Sequence, residues 1–173
     1  MSDFELLTSS KTSEWYTPVY IIESARKVMG GIYLDPASNP IAQRWIKAGS
    51  YYTKEQNGLS LPWYGRVWLN PPFGRVNSRQ GVYGAGVWFR RLYKEYTEAD
   101  VFEALALGRG DSDGFKLLTR ICYFVECDRI AFVSADGITK NKPVPGTKIF
   151  YLGLNVTEFI QEFRQYGTVL RAV

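Results

Sequence analysis

Two consecutive prolines after an apolar run constrain the fold more than any other feature of this sequence. The run Val67-Trp68-Leu69 has the pattern of a buried strand, and Asn70-Pro71-Pro72-Phe73 follows it directly. Proline lacks a backbone N–H donor and holds φ at about −65°, so a pair of prolines cannot continue a strand inside a sheet. The sequence therefore predicts that a strand ends at Asn70 and that the prolines form a stiff, exposed corner beyond the sheet.

Strand and helix patterns alternate along most of the chain. The segment from Thr17 to Gly31 has the apolar spacing of a helix that begins at Thr17-Pro18 and ends at Gly30-Gly31. Further helices are predicted at 87–98, 115–122 and 156–167, and strands at 32–35, 49–53, 66–70, 101–107, 123–126, 129–135 and 149–155. This alternation predicts an α/β domain with helices on both faces of a mainly parallel sheet. The late strands lie too close together for helical crossovers, so we expect an antiparallel pair at one edge.

The composition favours one folded domain over residues 1–173. Hydrophobic residues make up 46% of the chain and aromatic residues 16%, which argues against disorder. No apolar stretch approaches the roughly 20 residues of a membrane span, and the N-terminal segment lacks the pattern of a signal peptide. Cys122 and Cys127 are expected to be buried free thiols, so a cytoplasmic protein is the expectation.

Basic residues cluster just after the double proline. The net charge is +4, and a stretch with glycines and no periodicity, residues 74–86, contains Arg75 and Arg79 and is followed closely by Arg90 and Arg91. Such a cluster suits a polyanion, and the stretch is expected to form a substrate loop that contacts nucleic acid. For Arg90 and Arg91 the alternative is a solvated helix face.

The absence of histidine excludes several kinds of catalytic and metal site. It removes histidine-based catalytic triads, imidazole metal ligands and the commonest general base. No metal site is predicted, because Cys122 and Cys127 have no second pair of ligands.

Polar side chains follow two of the predicted strands. Asp35 ends the first strand and Asn70 the third, and ligands of open α/β sheets bind beyond the carboxyl ends of the strands, so these residues are expected to share one crevice. The Asn70 side-chain oxygen and the Pro71 carbonyl are two acceptors, and Phe73 adds a flat ring beside them. Two acceptors and a stacking face suit an aromatic ring that carries an amino group, such as an adenine flipped out of a duplex. Acceptors that bind both N–H protons favour attack by the amine nitrogen, so no strong base is needed.

Asn70-Pro71-Pro72-Phe73 resembles the catalytic motif of DNA methyltransferases that modify amino groups. Together with three other segments, in the same order and at similar spacing, it resembles the small phage-type DNA N-6-adenine methyltransferases. Those segments are Glu14-Trp15-Tyr16-Thr17-Pro18, Leu34-Asp35-Pro36-Ala37-Ser38, and Asn57-Gly58-Leu59 with Trp63.

The resemblance implies a Rossmann-like, S-adenosylmethionine-dependent methyltransferase fold and methylation of adenine N6 in double-stranded DNA. It implies a cytoplasmic enzyme, in a bacterial host cell if the gene is carried by a phage or prophage. Asn70, Pro71, Pro72 and Phe73 are the implied catalytic residues, and DNA contacts are expected from Arg75, Arg79, Arg90 and Arg91. Cofactor contacts are implied for Trp15, Thr17, Pro18, Asp35, Pro36, Ala37, Ser38 and Asn57.

Several alternatives stay open at the level of sequence. The same corner could accept the N4 amine of cytosine or a glutamine amide, and the fold could be kept in a binding module without catalysis. Asp35-Pro36 and Asn57-Gly58 are also common turn formers. Four tryptophans are expected in the core rather than at the base, namely Trp45, Trp63, Trp68 and Trp88.

Overall fold

The computed structural model describes residues 15–72, 84–109, 113–138 and 142–171. Within these ranges the helices are α1 (Val19–Met29), α2 (Gln43–Ile46), α3 (Ala85–Glu98), α4 (Asp113–Thr119) and α5 (Val156–Phe163). The strands are β1 (Leu34–Asp35), β2 (Ser50–Tyr51), β3 (Gly65–Leu69), β4 (Val101–Arg109), β5 (Tyr123–Cys127), β6 (Thr147–Leu152) and β7 (Gly167–Arg171). Short 3-10 turns lie at Gly58–Ser60 and Arg164–Tyr166.

The strands that the structure describes form one mixed sheet in the order β2-β1-β3-β4-β6-β5-β7. Strands β2, β1, β3 and β4 are parallel neighbours. The other three pairs, β4 with β6, β6 with β5 and β5 with β7, are antiparallel. The molecule is therefore a mixed α/β protein whose antiparallel part is larger than the single edge pair expected.

The first helix follows the sequence prediction closely. Its buried side chains recur with helical spacing at Ile21, Ile22, Ala25, Val28 and Met29. The helix ends where Gly30 adopts φ 69°, a conformation that a residue without Cβ reaches at no steric cost. Local sequence signals are thus sufficient to set both ends of α1.

Two hydrophobic cores lie on opposite faces of the sheet. On one face, α1, α2 and α5 cover side chains such as Trp68 of β3 and Leu105 of β4. On the other face, α3 and α4 cover Val67 and Ala104 of the same two strands. Alternate residues point to opposite faces of a strand, so β3 and β4 are buried on both sides. The expectation of helices on both faces is confirmed.

Four sequence expectations about the fold need correction. Residues 129–135 do not form a strand; in that segment Ile130 makes an isolated bridge to Val144, and Val133 one to Tyr16. Residues 167–171, for which no strand was expected, form β7 at the sheet edge. Helix α3 begins at Ala85, inside the segment expected to be a loop. Because half of the strand pairs are antiparallel, the expectation of a mainly parallel sheet is not confirmed.

The expected core residues are found inside the protein. Trp63, Trp68 and Trp88 are buried, and Trp45 packs against the core from a partly buried position. Both cysteines are free and buried, and burial raises the pKa of each thiol to about 12. None of the described helices combines the length and the apolar character that crossing a bilayer requires.

Candidate active site

The strand order places a crevice beside β1 and β3. From β1 the chain moves to β2 on one side of it, and then returns to β3 on the other side. Such a reversal leaves the connections after two neighbouring strands on opposite faces, and this opens a crevice at their carboxyl ends. Leu34 lies opposite Val67, so Asp35 at the end of β1 and Asn70 just after β3 lie at the same edge of the sheet. The structure brings the two residues to one edge, as expected.

Asn70 is held by a contact between two of the sequence segments. Its Nδ2 donates a hydrogen bond of 3.0 Å to the Oγ1 of Thr17, across 53 residues of chain. The other end of the amide, Oδ1, is buried and has no hydrogen-bond partner among the described residues. Pro71, the next residue, is buried and Pro72 is exposed, so only the second proline has the exposure expected of the corner. A buried amide oxygen without a donor is an acceptor available to a ligand.

The Thr17 segment is fixed by the chain that surrounds it. The Tyr16 amide donates to the Val133 carbonyl at 2.7 Å, and the Val133 amide donates back at 2.9 Å. The Tyr16 ring packs edge-on against Trp45, with 5.5 Å between ring centroids. Thr17 is only 2% exposed, whereas the neighbouring Trp15 is 40% exposed. The segment therefore presents one buried hydroxyl and one open aromatic face.

Asp35 is buried within its own turn. Its Oδ1 accepts from the Ala37 amide at 3.3 Å, and its Oδ2 accepts from the Gln43 side chain at 3.0 Å. Burial disfavours the charged form and raises the pKa of Asp35 to about 7, although hydrogen bonds from Ser38, Ala37 and Gln43 act in the opposite direction. The Gln43 Nε2 also donates to the Ser38 hydroxyl at 2.8 Å. These contacts support a role for Asp35 in holding the turn, and a cofactor contact remains a prediction.

The third segment packs directly on this turn. A Cβ atom on Gly58 would lie 1.9 Å from the Pro36 carbonyl oxygen, so only glycine fits at this position. Asn57 adopts φ 54°, a conformation that asparagine tolerates better than most residues, and its side chain is exposed. The local geometry accounts for the Asn-Gly pair as a turn. It also brings Asn57 close to the residues that follow β1.

The structure describes two of the four arginines expected to contact DNA, Arg90 and Arg91. Phe73, Arg75 and Arg79 lie outside the described residues. Arg90 is exposed on α3. The Arg91 guanidinium, in contrast, donates to the Leu59 and Leu61 carbonyls at 2.8 and 3.1 Å and to Glu95 at 2.6 Å. Arg91 thus ties α3 to the segment after Gly58, and a DNA contact by Arg91 remains a prediction.

Sequence reasoning missed two residues that organise the site. Gln43 joins Asp35 to Ser38, and its Oε1 accepts from the Ala48 amide at 2.9 Å. Asn39 caps the following turn, because its Oδ1 accepts from the Ile41 and Ala42 amides at 3.0 and 2.9 Å. The pair Asn39-Pro40 is a recognisable turn signal, so Asn39 could have been found. Nothing local distinguishes Gln43 from an ordinary helical residue.

Comparison with known proteins identifies the family of the chain. No curated protein and no solved structure is significantly similar to the chain. The family described as DNA N-6-adenine-methyltransferase (Dam) matches residues 6–170. The match spans nearly the whole chain and includes all four segments that meet at the crevice. The chain therefore belongs to the DNA N-6-adenine-methyltransferase (Dam) family and is an enzyme that methylates adenine in DNA.

Proposed function

We propose that the crevice beyond β1 and β3 holds S-adenosylmethionine next to an adenine flipped out of double-stranded DNA. In this proposal Asn70, Pro71, Pro72 and Phe73 form the catalytic corner. The observation that carries it is the Asn70 Oδ1, which is buried and has no hydrogen-bond partner among the described residues. Leaving a buried acceptor unpaired costs about 1–3 kcal/mol, a cost that a ligand N–H removes. An exocyclic amine is such a donor.

The residues around the crevice fit the proposed cofactor. S-adenosylmethionine, when bound, supplies an electrophilic methyl group. Its ammonium and ribose hydroxyls are donors, and the carboxylate of Asp35, the hydroxyl of Ser38 and the amide carbonyl of Asn57 are acceptors. The close approach of Gly58 to Pro36 holds the Asn57 turn against the Asp35 turn. The exposed Trp15 ring offers an apolar surface at the same site. Pro18, Pro36 and Ala37 complete the proposed lining.

Catalysis by this corner is electrostatic. The Asn70 Oδ1 and the Pro71 carbonyl each accept a hydrogen bond from one of the two N6–H groups. These bonds favour a pyramidal nitrogen and localise its lone pair. The amine becomes acidic once it is alkylated, so its surplus proton passes to water without a strong base, in keeping with a chain that has no histidine. Phe73 stacks on the flipped base. Preorganised acceptors of this kind typically contribute about 10²–10³ in rate.

We also propose which residues contact the DNA and what kind of methyltransferase fold holds the site. The single domain works as a Rossmann-like methyltransferase, with the crevice at the reversal of the strand order. Arg75 and Arg79 of the 74–86 loop, together with Arg90 and Arg91, contact phosphates and place the base. If the gene is carried by a phage or prophage, the enzyme acts on DNA in the cytoplasm of a bacterial host cell.

The test is methyl transfer to unmodified genomic DNA. The protein is incubated with methyl-labelled S-adenosylmethionine and duplex DNA, the DNA is digested, and the labelled nucleoside is identified. We expect N6-methyl-2′-deoxyadenosine, with more label in duplex than in heat-denatured DNA. Label in N4-methyl-2′-deoxycytidine would contradict the base assignment. Cofactor binding without any label would indicate a binding module instead.

A further inference from the structure

The two ends of the Asn70 amide are chemically opposite. Oδ1 is an acceptor and Nδ2 is a donor, and the two exchange places when the amide rotates by half a turn. Only Oδ1 can accept a hydrogen bond from an amine N–H. If Nδ2 took its place, one hydrogen-bond donor would face another. An asparagine in this role therefore needs a partner that allows its oxygen to face the substrate.

Thr17 is that partner in the structure. Its Oγ1 accepts from the Asn70 Nδ2 at 3.0 Å, and the side-chain oxygen at the other end of the amide is left unpaired among the described residues. Thr17 is 2% exposed, so water cannot readily replace its hydroxyl. The backbone on either side is held by the Tyr16–Val133 pair and by the first turn of α1, where Ile21 and Ile22 donate to the Pro18 carbonyl.

We propose, on the basis of the function proposed above, that Thr17 is a positioning residue that holds the Asn70 amide with Oδ1 towards the target amine. This role differs from the cofactor contact that the sequence resemblance implies for Thr17. A hydroxyl can also donate, so in a reversed amide Thr17 would bond Oδ1, but Nδ2 would then face the two N–H groups of the substrate. The hydroxyl therefore supports the productive orientation without a cost, whereas an apolar side chain would leave Nδ2 buried and unpaired.

The experiment uses two pairs of side chains that differ mainly by one oxygen. Thr17→Val replaces the hydroxyl of the wild type by a methyl group of similar size, and Thr17→Ala is compared with Thr17→Ser in the same smaller space. Single-turnover methyl transfer is measured at saturating cofactor and DNA, together with the cofactor Kd and the melting temperature. The valine and alanine variants are expected to lose roughly 10- to 50-fold in rate, the effect of one unpaired buried group. Thr17→Ser is expected to restore most of the rate that Thr17→Ala loses, and the cofactor Kd of all three variants should stay within about twofold.

A second measurement asks whether Thr17 acts through Asn70. In the Asn70→Ala background the amide is gone, so Thr17→Val should change the remaining rate by less than about twofold. An equal loss in both backgrounds would overturn the proposal. So would a loss that saturating cofactor recovers, since Thr17 would then bind cofactor. Equal rates in the serine and alanine variants would show that the hydroxyl does not matter. If Thr17→Val does not fold, the serine–alanine pair decides the question.

Failure of this proposal can be told apart from failure of the proposed function. If the wild type methylates adenine and Asn70→Ala is slow, the active site is correctly assigned whatever the Thr17 variants do. If the wild type is active and Asn70→Ala retains the full rate, the site assignment fails, and Thr17 loses its proposed role with it.

Discussion

At the scale of a residue, the proposed catalysis depends on one atom, the side-chain oxygen of Asn70. Asn70→Ala removes the unpaired Oδ1 and leaves the turns after β1 intact. We expect single-turnover methyl transfer to fall about 10²–10³-fold with little change in cofactor Kd. Asn155→Ala is the control, because the exposed Asn155 also donates through its side-chain amide, to the Val28 carbonyl and to Glu103, away from the crevice. The control should lower the melting temperature and keep the rate; an unchanged rate in Asn70→Ala would remove Asn70 from the mechanism.

Asp35 makes the stability of the folded protein depend on pH in a defined direction. Burial raises its pKa from 3.8 to about 7 in the folded protein. Between those values the folded state holds a proton that the unfolded chain releases. The contribution of Asp35 to stability is therefore greatest at low pH, falls as the pH rises from about 4 to 7, and then stays level. The groups that bond this carboxyl group, namely the Ala37 amide, Ser38 and Gln43, are all neutral.

Asp35→Asn tests this dependence. The variant keeps the shape of the side chain and cannot ionise. The difference between its free energy of unfolding and that of the wild type should therefore rise in favour of the variant by up to roughly 4 kcal/mol from pH 4 to pH 8. Urea unfolding at each pH measures the difference. Ser38→Ala is a useful second variant, because loss of a hydrogen bond that lowers the pKa should move the fall in stability to higher pH. A constant difference across the range would contradict a buried, titrating Asp35.

At the scale of elements, the approach of the 3-10 turn to the β1 turn depends on Gly58. Gly58→Ala would place a Cβ 1.9 Å from the Pro36 carbonyl oxygen, and backbone on both sides must move. We expect a loss of about 1–3 kcal/mol in the free energy of unfolding and a weaker cofactor affinity. Gly49→Ala is the matched control, because its nearest atom would lie at 3.4 Å. Equal denaturation midpoints for the two variants would mean that the turns do not pack as described.

Helix α3 carries two adjacent arginines with different environments. Arg91→Ala removes the bonds to the Leu59 and Leu61 carbonyls and should lower the melting temperature. Arg90→Ala, on an exposed position, should leave the melting temperature unchanged and weaken DNA binding if Arg90 meets a phosphate. Thermal unfolding and DNA titration of both variants separate the two roles. An Arg91→Ala variant that melts like the wild type would show that this guanidinium does not hold α3 to the segment after Gly58.

At the scale of the whole molecule, the net charge of +4 must be distributed so that DNA reaches the crevice. If Arg75 and Arg79 each meet a phosphate, replacing both by alanine should flatten the log–log slope of DNA affinity against salt by up to about 2. Arg120 and Arg171 form the control pair: both are exposed and lie near Tyr123, at the amino end of β5 and away from the crevice. Their double replacement should shift the slope little. Equal slopes for the two double variants would mean that Arg75 and Arg79 do not contact phosphates.

The sequence by itself determined several local features, namely the limits of α1 and the places where β1 and β3 end. Proline fixes φ, glycine permits positive φ, and apolar spacing selects the buried face of a helix; each effect acts within a few residues of chain. These signals placed Asp35 and Asn70 at strand ends and set the limits of α1. The order of the four segments also identified the family.

The tertiary structure alone decided which distant residues meet. The bond between Asn70 and Thr17 crosses 53 residues, and no local pattern encodes it. The same holds for β7, which forms a strand because its backbone pairs with β5, and for residues 129–135, whose β-like composition finds only isolated bridges. Propensity is a weak preference that pairing and burial override. The place of the Asn70 amide, on which the proposed chemistry depends, is decided by this assembly, because the hydroxyl that bonds it belongs to a distant segment.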